Sequence, residues 1–263
     1  MGLPSFITPI MGKKKGYLPL TLAWIAATSE TDTTILNALN TFEAGLIANS
    51  LTGKFNAIYP FVGGTSGKHS FNFINTLTFQ LTFMGGWTHN STGATPAATA
   101  YAITGIIPST NLLKDDNHLS MYTGITSNAG SDIGAYTLAT SPTRILELDT
   151  RTSGLFRYFG NDATTLSVAT ADNKGWSLGT RTGSTTKTIY KNGVSVATNS
   201  VASVGLPLVG IYLGTRNIDG VASVPSSVAR HQFDSIGSGL TAGDASTLYT
   251  LIQAMQTSLS RQV

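Results

Sequence analysis

The sequence predicts an all-β molecule, two antiparallel sheets packed face to face, with an N-terminal arm and two flanking helices. Three observations predict it. From residue 55 to about 236, short runs of aromatic, β-branched and Thr residues alternate with Gly, Asn, Asp, Ser and Pro clusters, without a helical period. Within that stretch, Lys191-Asn192-Gly193-Val194 offers the two adjacent positive-φ positions of a tight type I′ hairpin. On both sides of it the apolar residues switch to helical spacing.

The elements follow in chain order. Residues 1–28 show no clear period and mix apolar residues with Gly and Lys, while Pro4, Pro9 and Pro19 favour an extended chain. We expect an anchoring arm that buries Phe6, Ile7, Ile10, Tyr17, Leu20 and Trp24 against another subunit. Lys13-Lys14-Lys15 ahead of the apolar run 18–27 imitates a secretory signal, but Pro19 and Trp24 fit one poorly. The run is also too short to span a bilayer. A retained, ordered arm is the expectation.

Residues 30–50 read as a helix. Ile35, Leu39, Phe42 and Leu46 form one stripe, widened by Leu36 and Ile47, and Ser29, Thr31 or Asp32 stands where an N-cap belongs. Gly53 is placed to let the chain leave with a positive φ. Strands are expected at residues 57–62, 77–83, 118–122, 144–149, 188–190 and 209–214. In 77–83 apolar residues alternate with Thr and Gln, the mark of a strand with one wet face. Thr241-Ala-Gly-Asp244 has capping-box form, and Leu248, Ile252, Met255 and Leu259, with Ala245 and Tyr249 beside them, make a second stripe over 242–260. Both stripes need an apolar partner, so residues 29–263 read as one domain with the helices against the sandwich.

Composition narrows the function classes. There is no cysteine, and at 263 residues the chain needs no disulfide staple. Only 11% of residues are charged and the net charge is +3, too weak and scattered a field for nucleic acid. A polar, nearly uncharged surface suits repeated subunit contacts, where buried charge is costly.

Candidate chemistry is sparse. Glu147 and Asp149 alternate on one strand and so share a face, about 6–7 Å apart by strand rise. Glycosidases of sandwich fold carry a third carboxylate two residues on; here Arg151 stands there. Glu147, Asp149 and Arg151 therefore read as a salt-bridged stripe, and we expect no enzyme and no catalytic residue. His69, His89, His118 and His231 lack metal-ligand spacing, and Asp115-Asp116-Asn117 reads as a turn rather than a calcium loop, so no metal and no cofactor is expected. Trp87, in Gly85-Gly86-Trp87-Thr88-His89-Asn90, either packs in the core or a subunit contact, or stacks on a pyranose. In the second case Trp87, His89 and Asn90 form the glycan site. Trp176 and Tyr212, inside β runs, read as core.

A series of segments resembles a known group. Ala57-Ile-Tyr-Pro-Phe-Val-Gly-Gly-Thr65 precedes His69-Ser-Phe-Asn72 and Phe83-Met-Gly-Gly-Trp-Thr-His-Asn-Ser-Thr-Gly-Ala94. Lys187-Thr-Ile-Tyr-Lys-Asn-Gly-Val194, Ile211-Tyr-Leu-Gly-Thr-Arg-Asn217, Ser235-Ile-Gly-Ser-Gly-Leu-Thr241 and Leu259-Ser-Arg-Gln-Val263 follow. Over residues 30–263 the series is similar to the concanavalin A-like, laminin-G-like domain of tailed-bacteriophage structural proteins. The resemblance implies a concanavalin-like jelly-roll sandwich and a virion protein, a capsid decoration or a head or tail fibre component that contacts host glycans. It implies other virion proteins and copies of itself as partners, and neither nucleic acid nor membrane. The alternative is a secreted or surface carbohydrate-binding module.

Overall fold

A computed structural model describes residues 16–128 and 130–263. The chain opens with two helices, α1 (Pro19–Thr28) and α2 (Thr33–Ala48), and closes with α5 (Ala242–Ser258); α3 (Ser66–His69) and α4 (Pro108–Asn111) are single turns. A six-stranded sheet runs in the order β1 (Phe55–Tyr59), β17 (Phe233–Gly237), β6 (Asn117–Thr123), β11 (Gly175–Arg181), β12 (Lys187–Lys191) and β13 (Val194–Asn199). A nine-stranded sheet lies over it. Its path is β10 (Leu166–Ala169), β9 (Leu155–Gly160), β8 (Arg144–Thr152), β7 (Ile133–Thr137), β14 (Tyr212–Leu213), β5 (Tyr101–Ile103) and β2 (Thr82–Met84). From β7 branches β15 (Arg216–Ile218), paired with β16 (Val221–Ala222). A separate hairpin, β3 (Trp87–Asn90) with β4 (Gly93–Pro96), stands beside the sandwich.

Two cores make three layers. Leu119, Met121 and Ile236 of the six-stranded sheet meet Leu146, Leu148, Phe156 and Tyr158 of the nine-stranded sheet. Tyr122, Trp176, Leu178 and Phe233 point the other way, under Leu39, Phe42, Leu46, Leu248 and Ile252 of the long helices. The six-stranded sheet is therefore covered on both faces, which is why β6 and β11 are buried at every position. Both helical stripes pack on the sandwich as their spacing requires. Asp32 caps α2 through the Thr34 amide, and Thr241 and Asp244 close a reciprocal capping box on α5. Asn192 (φ 50°) and Gly193 (φ 77°) make the expected hairpin turn between β12 and β13.

The structure corrects four expectations. The arm is not extended over its second half: residues 19–28 form α1, whose Trp24 is wholly buried in the helix-side core with Leu20 packed beside it. Trp24 and Leu20 thus serve the chain's own core rather than a neighbouring subunit, and Tyr17 is half-buried; Phe6, Ile7 and Ile10 lie outside the described residues. Pro19 starts this helix rather than opposing it, since the first turn needs no amide from it.

Residues 77–83 contribute strand only from Thr82, and Leu77 is 87% exposed. The Asn75 side chain accepts the Leu77 amide and Phe79 adopts a positive φ of 54°, local turn chemistry that overrides the alternating pattern. Of residues 209–214 only Tyr212 and Leu213 pair as strand. After α2 the left-handed residue is Ser50 (φ 57°), Gly53 lies in a 3₁₀ turn, and Ile47 of the stripe is exposed.

Candidate functional site

The outer face of the nine-stranded sheet carries no helix among the described residues. Its strands alternate between the two faces. In β8, Leu146 and Leu148 enter the inter-sheet core, so Glu147 and Asp149 point outward. In β9 the same alternation sends Arg157 and Phe159 outward, and in β5 and β14 it sends Tyr101 and Tyr212.

Strand register then sets these groups in rows. Arg216 of β15 lies opposite Gly134 of β7, Gly134 opposite Glu147, and Glu147 opposite Phe159. Asp149 faces Arg157 in the next row on that side. Gly134 leaves room at this point: a Cβ there would lie 3.0 Å from the Arg216 Cβ and 3.2 Å from the Glu147 Cγ, a tight fit. Without that side chain, Arg216 closes over the sheet onto Glu147.

Each carboxylate is capped by an arginine. Arg216 donates Nη1 to the two Glu147 oxygens at 3.1 and 3.4 Å, and Ser131 Oγ donates to Glu147 as well. Arg157 donates Nε and Nη2 to Asp149 Oδ2 at 2.9 and 2.7 Å. Both carboxylates are wholly buried, while their arginines remain about 30% exposed. Burial, and then the Glu147 carboxyl beside it, raise Asp149 well above the usual carboxylate range.

The arginines open onto a cleft of about 250 Å³ lined by Gly130, Ser131, Thr152, Ser223, Val224 and Pro225. Next to it on the face, the Arg216 guanidinium lies over the Tyr136 ring at 5.2 Å, and Tyr136 meets Phe159 edge-on at 6.4 Å. Across Gly134 from Glu147, Tyr212 stacks on Tyr101 at 4.8 Å with their planes 21° apart.

The three hairpin residues Trp87, His89 and Asn90 all lie on β3. Trp87 is half-buried, with its Nε1 donated to the Tyr101 carbonyl and its ring among Phe83, His89 and His231 at 5.2, 6.2 and 5.5 Å. Those rings close the end of the inter-sheet core, so Trp87 packs there instead of presenting a free face to a sugar. His89 is half-buried with its Nδ1 3.0 Å from that of His69, and the exposed Asn90 turns its side-chain oxygen back onto Thr92. Tyr212, read as core, stands on the outer face, whereas Trp176 is wholly buried.

Arg151 does not bridge Glu147 and Asp149; it donates to the Thr170 and Ser127 carbonyls, and Arg157 and Arg216 pair with the two acids. His69 and His89 meet although 20 residues apart, and burial holds His69 at about 3. No group of three or more metal-binding side chains occurs among the described residues. Asp116 accepts the Gly239 amide and Asp115 a Ser203 hydroxyl.

Neither protein-family descriptions nor curated proteins match this sequence. Solved structures do. The botulinum neurotoxin serotype D binding domain superposes with a TM-score of 0.50 at 10% identity, over 77% of this chain and 53% of that one. A Trypanosoma rangeli sialidase in complex with sialic acid gives 0.53 at 10% identity, over 73% of this chain and 32% of the sialidase. The likeness is one of fold. It establishes an antiparallel β-sandwich, and this chain spans about half the neurotoxin domain and a third of the sialidase. No helix among the described residues is long and apolar enough to cross a membrane.

Proposed function

We propose that this chain is a glycan-binding β-sandwich whose binding face is the outer face of the nine-stranded sheet. One observation carries the reading. On a three-layer molecule with both faces of one sheet covered, the other sheet has an outer face that no helix among the described residues covers, bearing the Tyr101–Tyr212 stack and an arginine-flanked cleft. Aromatic rings offer the apolar face of a pyranose a flat partner, and fixed side-chain donors answer its hydroxyls. The fold shared with a neurotoxin binding domain is compatible with this role.

We read the face as binding rather than hydrolytic, because both acids are buried and capped. A retaining glycosidase needs one carboxyl free to attack and another free to give a proton. The test is a screen of immobilised oligosaccharides. The intact chain should retain a subset, and Tyr212→Ala should lose them while unfolding at the same temperature. No retention of any glycan by the folded chain would overturn the proposal.

A second reading concerns where the chain works, and the series of segments similar to phage structural domains favours it. We propose that the chain is a subunit of a tailed-phage particle, with partners among the other virion proteins and copies of itself. Mass spectrometry of purified particles should find this polypeptide in fixed stoichiometry; its absence would remove the reading without touching glycan binding.

A further inference from the structure

Building on the glycan-binding reading, we infer that the cleft between Arg157 and Arg216 takes a carboxylate-bearing sugar, an acidic residue of a host or surface glycan. The charge exposed at the cleft is of one sign. The two charged groups that line the cleft are both cations, Arg157 and Arg216, while the carboxyls they pair with, Asp149 and Glu147, are wholly buried beneath them. A group entering here meets the guanidinium groups before the carboxylates.

The donors also point to an anion. Arg216 uses Nη1 on Glu147, and its buried Nε has no hydrogen-bond partner among the described residues. Its Nη2 likewise makes no hydrogen bond among the described residues and is the donor a ligand oxygen can meet. Arg157 spends Nε and Nη2 on Asp149, and its Nη1 makes no hydrogen bond among the described residues. Thr152 and Ser223 line the cleft beside them with hydroxyls, and Gly130 keeps one wall free of a side chain. The volume, about 250 Å³, suits one monosaccharide rather than a long chain.

Charge-assisted contacts to guanidinium discriminate strongly between a carboxylate and a neutral hydroxyl. The glycan's remaining sugars would then run towards Tyr136 and Tyr212 on the same face. Val224, 56% exposed at the cleft, gives a way to change the charge without disturbing either buried ion pair.

The experiment compares the full chain with V224E and V224K, using isothermal titration against 3′-sialyllactose, a glucuronate-terminated oligosaccharide, and the neutral counterpart of each. We expect at least one acidic sugar to bind on the order of ten-fold tighter than its neutral counterpart. V224E should weaken that binding several-fold, V224K should strengthen it, and added salt should narrow the difference. Which acidic probe binds tells a nonulosonate from a uronate source. R216M should abolish the preference; because it strands Glu147, the Val224 pair decides the matter if R216M fails to fold. Equal binding of acidic and neutral sugars, or indifference to charge at Val224, would overturn the inference and leave glycan binding standing. Binding of none of the probes, with an empty oligosaccharide screen, would overturn both.

Discussion

Replacing Trp24 asks whether the start of the chain belongs to the domain or to a neighbour. Trp24 is wholly buried, with edge contacts to Phe71 at 6.2 Å and Phe73 at 6.0 Å. Its helix is tied down at the other end by Glu43, whose carboxylate accepts the Leu20 and Thr21 amides and the Thr21 hydroxyl, each at 2.8 Å. A buried indole removes roughly 200 Å² from water, or about 5 kcal/mol at ~25 cal/mol per Å². Truncations of this size typically cost about 3–5 kcal/mol.

Trp24→Ala should therefore lower unfolding free energy by about 3–5 kcal/mol in a urea titration followed by circular dichroism. Trp24→Phe should behave differently. The indole Nε1 has no hydrogen-bond partner among the described residues, so Phe sheds an unpaired buried donor while losing part of the ring. We expect it within about 1 kcal/mol of the parent. A loss below ~1 kcal/mol for Trp24→Ala would refute the docking of α1, given what a buried indole is worth. So would an unfolding midpoint that rises with protein concentration in the parent but not in the variant.

Three further outcomes follow from other parts of the molecule. Asp162 accepts Arg181 at 2.6 Å and Lys187 at 2.8 Å, all three buried, so Asp162→Ala strands two cations and should cost about 3–5 kcal/mol by chemical denaturation. Gly193→Ala forces a left-handed residue with a side chain whose Cβ would lie 3.1 Å from that of Tyr249, so differential scanning calorimetry should show a loss of at least about 1–2 kcal/mol. Burial holds His118 at about 4, below its ordinary 6.5, so below pH 6.5 the unfolded chain takes up this proton before the folded one. Its stabilisation is intact above pH 6.5 and falls by about 3 kcal/mol towards pH 4. Asp132, Asp149 and Asp234, with raised carboxyls, act in the opposite sense, so the parent must be compared with His118→Gln, which should lack this component of the slope.

What could be read in the sequence was periodic or local. The stripes of α2 and α5 and the Asn192-Gly193 turn depend on neighbours within a few residues, and apart from the exposed Ile47 they stand as read. The failures have a common origin. Residues 77–83 alternate like a strand, but Asn75 captures the chain in a turn first. Trp24 sits in a helix with apolar residues on nearly every side, so no single stripe betrays its direction.

The site was half legible. Glu147 and Asp149 are two apart and announce a shared face, but their partners come from elsewhere: Arg157 from the next strand and Arg216 from 69 positions away. Sequence proximity favoured Arg151, whose guanidinium instead satisfies two loop carbonyls. Nothing local distinguishes Arg216 from any other arginine; only the parallel pairing of β15 with β7 brings it over Gly134.

Stability alone does not account for that cluster. A chain with 11% charged residues has placed two wholly buried carboxylates on the outer face of the nine-stranded sheet, which no helix among the described residues covers. Burying an ion pair removes hydration worth several kcal/mol per ion, and well-packed apolar residues of similar size would stabilise the sheet as well or better. The helix-facing side of the six-stranded sheet takes that apolar solution, with Tyr122, Trp176, Leu178 and Phe233 under the helices, while the same sheet also buries Arg181, Lys187 and Asp234. On the bare sheet it takes the costlier one, and clears Gly134 so that Arg216 can close. What the costlier arrangement provides is two guanidinium groups held in fixed positions, with donors left over at the edge of a cleft. Fixed donors lose little entropy on meeting a ligand, which is the condition for selecting one sugar from many by a single charged group.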